Sequence, residues 1–152
     1  MTASRIPPEL AAIQEDFLAL ESTNDRLQFL LELANELPEL PERYQDHPEL
    51  FERVVECQSP VFIFVEVTDD IVHVFATAPR EAPTTRGFAS ILVQGLSGHT
   101  VDDVLAVPGD FPQEIGLTQA VSMLRIRGMT AMLARIKYQV RARLDQPVTP
   151  GP

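Results

Sequence analysis

Near its start the chain carries apolar residues at helical spacing in two stretches. Leu10, Ile13, Phe17 and Leu20 form one stripe. Pro7-Pro8-Glu9 suits the opening of that helix, because proline fits a first turn and an acid there complements the dipole. Ser22-Thr23-Asn24 interrupts the pattern, and Asn24 is the expected cap of a second helix. Leu27, Leu30, Leu31 and Ala34 line its inner face, widened by Phe29, Leu33 and Leu37. The two stretches predict a helical hairpin. Pro38 and Pro41 bias the preceding residues away from helical angles, so 38–48 reads as a loop or short turns. The texture then becomes β-branched and aromatic. Val61–Val67 and Ile71–Ala76 flank Thr68-Asp69-Asp70 and predict an antiparallel hairpin, with Phe51–Val55 as a further strand. The nearly continuous apolar run 61–65 predicts a strand covered on both faces.

After the loop Ala78–Pro83, Thr84 or Thr85 is the expected cap of a helix carrying Phe88, Ile91, Leu92 and Leu96, stopped by Gly98. Gly87 and Gly95 weaken that helix by roughly 1 kcal/mol each relative to alanine. That cost predicts a neighbour pressed closely against it. Thr100-Val-Asp-Asp starts a short helix through Leu105, and 111–115 holds at most one turn. Ser122 caps a last helix with Met129, Met132, Leu133, Ile136, Val140 and Leu144 at spacings of three and four, fading before Gln146-Pro147. The expected fold is α+β: a small antiparallel sheet of about three strands against the N-terminal hairpin and the C-terminal helices. One domain is expected over 1–152, with 1–7 and 146–152 frayed.

The length of 152 residues fits one core. No apolar run approaches the ~20 residues of a membrane span. The first residues lack a basic region followed by an apolar one, and a single cysteine agrees with a reducing compartment, so cytoplasm is the expected location. The net charge of −10 argues against nucleic acid as a partner. It is unevenly spread. Residues 1–56 hold 13 acids and 4 bases, whereas 122–144 hold six bases and no acid. The plainer reading of those bases is a solvated face balancing the acidic half; a match within the fold or a partner surface stays open.

His47, His73 and His99 are scattered, with no metal-ligand spacing. There is no phosphate loop and no Gly-x-Ser-x-Gly elbow. What stands out is Glu56-Cys57-Gln58-Ser59-Pro60, a lone thiol on a short connection between strands. It is either a packed small apolar residue or a reactive group. If Cys57 were a hydrolase nucleophile, His73 would be its only candidate base.

Four landmarks, in order, resemble the SufE family. They are Leu37-Pro-Glu-Leu-Pro41, Glu56-Cys57-Gln58-Ser59-Pro60-Val61-Phe62, Arg86-Gly87-Phe88 and Ser122-Met-Leu-Arg125-Ile-Arg-Gly128-Met129. The likeness spans roughly residues 10–144. It departs where Glu56 stands for a glycine, Phe62 for a tryptophan, and a two-proline loop for an acidic approach in which Glu81 stands in for one acid. The resemblance implies a SufE/NifU-like fold and a sulfur acceptor. A cysteine desulfurase of the SufS or CsdA type, itself PLP-dependent, hands persulfide sulfur to Cys57, which passes it to a cluster scaffold. This chain would stimulate the desulfurase without binding a cofactor or metal and without being a stand-alone enzyme. Gln58, Ser59, Glu81, Arg86 and Arg125 are the implied supporting or partner-contacting residues. The alternative is an interaction module of the same fold that transfers nothing. A homodimer is left open. The adjacent Glu56 and the negative surface disfavour a resting thiolate, so Cys57 is expected to lie tucked against the sheet until a partner docks.

Overall fold

A computed structural model describes residues 6–145, and the architecture is α+β. Helices α1 (Pro8–Ala19) and α2 (Thr23–Asn35) form the N-terminal hairpin. A short helix α3 (Glu42–Gln45) and a 3-10 turn (Pro48–Leu50) lead into β1 (Glu52–Arg53), β2 (Phe62–Thr68) and β3 (Ile71–Thr77). Helices α4 (Pro83–Leu96) and α5 (Val101–Leu105), a 3-10 turn (Phe111–Gln113) and the long α6 (Met123–Asp145) complete the chain. Residues 1–5 and 146–152, expected to fray, lie outside the described set, while Ile6 packs on the core.

The sheet is antiparallel in the order β1-β2-β3. Its hairpin turns on Asp69 and Asp70, both at positive φ (54° and 68°), the geometry that matches the twist of the two strands. One face presents Ile63, Val65, Val72, Val74 and Ala76 to α4 and α6. On the other, Tyr44 from α3 lies 5.0 Å from the Phe64 ring and 5.1 Å from Phe75, with Phe51 5.5 Å from Phe64. The Tyr44 hydroxyl donates to Glu66 (2.9 Å), and the Arg143 guanidinium caps Phe64 at 5.0 Å. The apolar run 61–65 is thus covered on both faces, as its texture predicts.

Helix α4 is the central element, packed by α1, α2, α6 and β3. Its glycines mark the closest approaches. A Cβ on Gly87 would stand 2.7 Å from both the Leu30 side chain and the Leu30 carbonyl oxygen. One on Gly95 would stand 2.5 Å from the Leu10 side chain. Overpacking costs ~1–3 kcal/mol, more than the ~1 kcal/mol of helix propensity alanine would restore, so glycine is the better residue.

Three local expectations need correction. The second helix is capped by Ser22, which accepts from the Asp25 amide, because Thr23 and Asn24 are already helical. Ala82, not Thr84 or Thr85, precedes α4, since Pro83 takes the first helical position and needs no amide partner. The first strand shrinks to two residues because α6 takes over the outer edge of β2. There the Val65 amide donates to Gln139 (2.9 Å), and the Ile63 and Val65 carbonyls accept from Gln139 (3.2 Å) and Arg143 (2.9 Å). The Thr100 and Ser122 caps form as expected. Among the described residues no helix is long and apolar enough to cross a membrane.

Candidate functional site

Cys57 lies on the connection from β1 to β2. The loop is closed at its base by the Val54 amide on the Val61 carbonyl (2.9 Å). Within it the Cys57 amide donates to the Val54 carbonyl (3.1 Å) and the Val61 amide to the Ser59 carbonyl (2.9 Å). The turn directs the side chain inward, and Cys57 is 6% exposed. It packs against α6 and belongs to the hydrophobic core. A Cβ on Gly128 would stand 3.0 Å from Cys57 Sγ, so the helix offers the thiol a seat by lacking a side chain there.

The thiol faces a small cleft bounded by Gln58, Ser59, Thr85, Phe88, Leu124 and Arg125. Gln58 and Arg125 are exposed, and Ser59 is half-buried. Arg125 has no side-chain partner among the described residues. Val55, Met123 and Leu124, each at least half exposed, add apolar surface near the same end of the molecule.

The cleft thus gathers Cys57, Gln58, Ser59 and Arg125. Two other predicted site residues lie elsewhere. Glu81 is exposed on the loop before α4. Arg86 is turned into the fold, donating to the Ala34 carbonyl (2.9 Å) and the Ala78 carbonyl (2.6 Å), where it ties α2 to the end of the sheet. Neither bounds the cleft around the thiol. His73 sits on β3 opposite Glu66 in β2 and is also absent from the cleft. His47 pairs with Glu49 and His99 with Glu9. No imidazole reaches the thiol, so the hydrolase reading has no base.

Electrostatics hold the resting thiol protonated. Its pKa is pushed up to about 11, first by burial and then by the Glu56 charge, with Arg135 opposing. Arg135 is the residue that sequence reasoning missed. Its guanidinium bonds Glu56 Oε1 through Nη2 (2.7 Å) and Nε (3.3 Å) and pairs with Glu52 through Nη1. The contact with Arg135 holds the Glu56 carboxyl below the usual carboxylate range. Three of the six bases on the last helix are thus used inside the fold: Arg135, Arg143 on Val65 and Lys137 on the Val107 carbonyl. The solvated-face reading holds only for the rest. Gly128, part of a landmark but assigned no role, is the second omission. Its signals were its place in that landmark and a glycine inside a helix.

Comparison with known proteins gives a consistent picture. The SufE model, described as "Fe-S metabolism associated domain", matches residues 11–140. An uncharacterized SufE-like protein of Mycobacterium tuberculosis is 50% identical over 143 residues, covering 93% of this chain and 98% of that one. The "Cysteine desulfuration protein SufE" of Plasmodium falciparum is 26% identical over 136 residues, 87% of this chain and 53% of the longer relative. The solution structure of a hypothetical protein from Thermus thermophilus superposes with a TM-score of 0.80 at 38% identity, covering 93% and 99% of the two chains.

Proposed function

The chain belongs to the SufE family, and on that premise we propose that it serves iron–sulfur metabolism as a sulfur carrier, with Cys57 as the acceptor. The observation that carries this reading is the seating of the chain's single thiol against Gly128, beside a cleft that opens to solvent. The donor is the persulfide of a cysteine desulfurase. The Cys57 thiolate attacks the terminal sulfur, a new S–S bond forms on Cys57, and the donor's S–S bond breaks. The donor cysteine leaves as a thiolate, so sulfur is transferred with no net oxidation. The proton lost by Cys57 is taken up by solvent or by the departing sulfur. Cys57-S-SH then carries the sulfur to a cluster scaffold, and this chain needs no cofactor of its own.

The test is intact mass after mixing with a desulfurase and cysteine. A gain of about 32 Da, one sulfur, that a thiol reductant removes supports the reading; no gain under turnover rejects it.

Arg125 bounds the cleft without a side-chain partner among the described residues, near the start of α6 where a positive charge opposes the helix dipole. A contact with the docked desulfurase would supply the missing partner. Arg125→Ala is expected to slow sulfur transfer about tenfold, the loss of one charge-assisted contact, while the melting temperature stays put. Unchanged transfer rates would remove Arg125 from the docking surface.

A further inference from the structure

The loop that presents Cys57 is fastened from outside. Glu52 lies on the strand before it and Glu56 immediately precedes the cysteine; both carboxylates converge on Arg135 of α6. Glu52 is held further by Gln139, which donates to its other oxygen (3.0 Å) and to the Ile63 carbonyl on the neighbouring strand (3.2 Å). The Glu52 side of this arrangement is therefore part of the sheet edge. The Glu56 side is different: that carboxylate is half exposed, and its one side-chain partner among the described residues is Arg135. The thiol one residue later is pressed against Gly128, two helical turns before Arg135 on the same helix.

We infer that Arg135 is a positioning residue that latches the Cys57 loop onto α6 through Glu56, and that breaking this contact releases the thiol from its Gly128 seat. The anchor on Glu52 keeps the guanidinium in place while the Glu56 arm opens. Arg135 therefore stays available to reclose the loop after the sulfur has been passed on. An approaching partner need only compete for one partly exposed ion pair. The inference deepens the sulfur-carrier reading and draws its purpose from it, but the latch itself is measurable without any sulfur.

Two effects of Arg135 have opposite signs, which makes the test decisive. As a nearby positive charge it favours the thiolate, so its removal by charge alone slows alkylation. As a latch it holds the thiol in, so its removal speeds alkylation. Arg135→Gln is expected to accelerate Cys57 alkylation by iodoacetamide about two- to fivefold at fixed pH, what a partly exposed ion pair can hold back. Hydrogen exchange of the loop amides of Cys57 and Val61 is expected to accelerate by a similar factor, with β2, β3 and α4 unchanged. Slower alkylation, or loop exchange no faster than in the parent protein, overturns the inference. If Arg135→Gln loosens the whole sheet through Glu52, Glu56→Gln decides, because it leaves the Arg135–Glu52 contact in place. Faster exchange confined to 54–61 then supports the latch, and unchanged exchange there rejects it. The 32 Da mass gain in the parent protein separately reports whether the sulfur-carrier reading stands.

Discussion

Cys57→Ser is expected to accept no sulfur at all and to lose all stimulation of a desulfurase, while folding as the parent does. A serine hydroxyl fits the space against Gly128, since oxygen is smaller than sulfur and the seat is already made by a missing side chain. Its cost is that of placing a hydroxyl where the thiol packs as a small apolar group, about 1–3 kcal/mol if it finds no partner and less beside the open cleft. Chemistry gives it no such tolerance. An alcohol is not ionised at neutral pH, and thiol exchange requires a thiolate attacking sulfur. The chain holds no second cysteine to take over. Intact mass under turnover checks acceptance, and desulfurase rates with and without the variant check stimulation. A variant that still stimulates fully would make this chain an interaction module in which Cys57 is merely packed, the reading its burial alone would favour.

Legibility differed between the fold and the site for a physical reason. The hairpin of β2 and β3 was readable because its pattern is local: β-branched runs either side of Asp69-Asp70. The close approach at Gly87 and Gly95 was readable because glycine in a helix carries a penalty that something must offset. Caps were readable where side chain and backbone compete over three residues, at Thr100 and Ser122, and misplaced where a neighbouring residue had an equal claim, as Ser22 had over Asn24. The truncated β1 and the role of Arg135 depend on pairs some 74 to 87 residues apart. Such pairs leave no periodic trace. A basic stretch with no acids reads as a solvated face whether or not half of its charges turn inward. Cys57, Gln58, Ser59 and Arg125 meet at one cleft, whereas Arg86, quoted from a landmark of its own, serves the α2–sheet junction.

The alkylation rate of Cys57 in the isolated protein is expected to climb about tenfold for each pH unit from 7 to 10 and to bend near 11, where an ordinary cysteine bends near 8.5. The sign follows from the surroundings. Burial penalises the charged form, Glu56 repels it, and Arg135 only partly compensates. The neutral thiol therefore predominates below the raised pKa, and at pH 7 only about one molecule in ten thousand is a thiolate. A resting thiol of this kind is protected from oxidation, whose rate follows thiolate character and exposure. Sulfur transfer then has to restore what burial suppresses. If docking draws the side chain off Gly128 and returns its pKa by about two units, the thiolate fraction rises about a hundredfold. Its intrinsic nucleophilicity falls by somewhat under tenfold, because less basic thiolates attack more slowly. The net gain is about tenfold, so adding a desulfurase should speed alkylation by a small neutral reagent at pH 7 by roughly that factor. A rate in isolation that already matches free cysteine, or a profile that levels off near pH 8.5, would mean that the thiol is not held back by its seat, and the case for activation by a partner would fall with it.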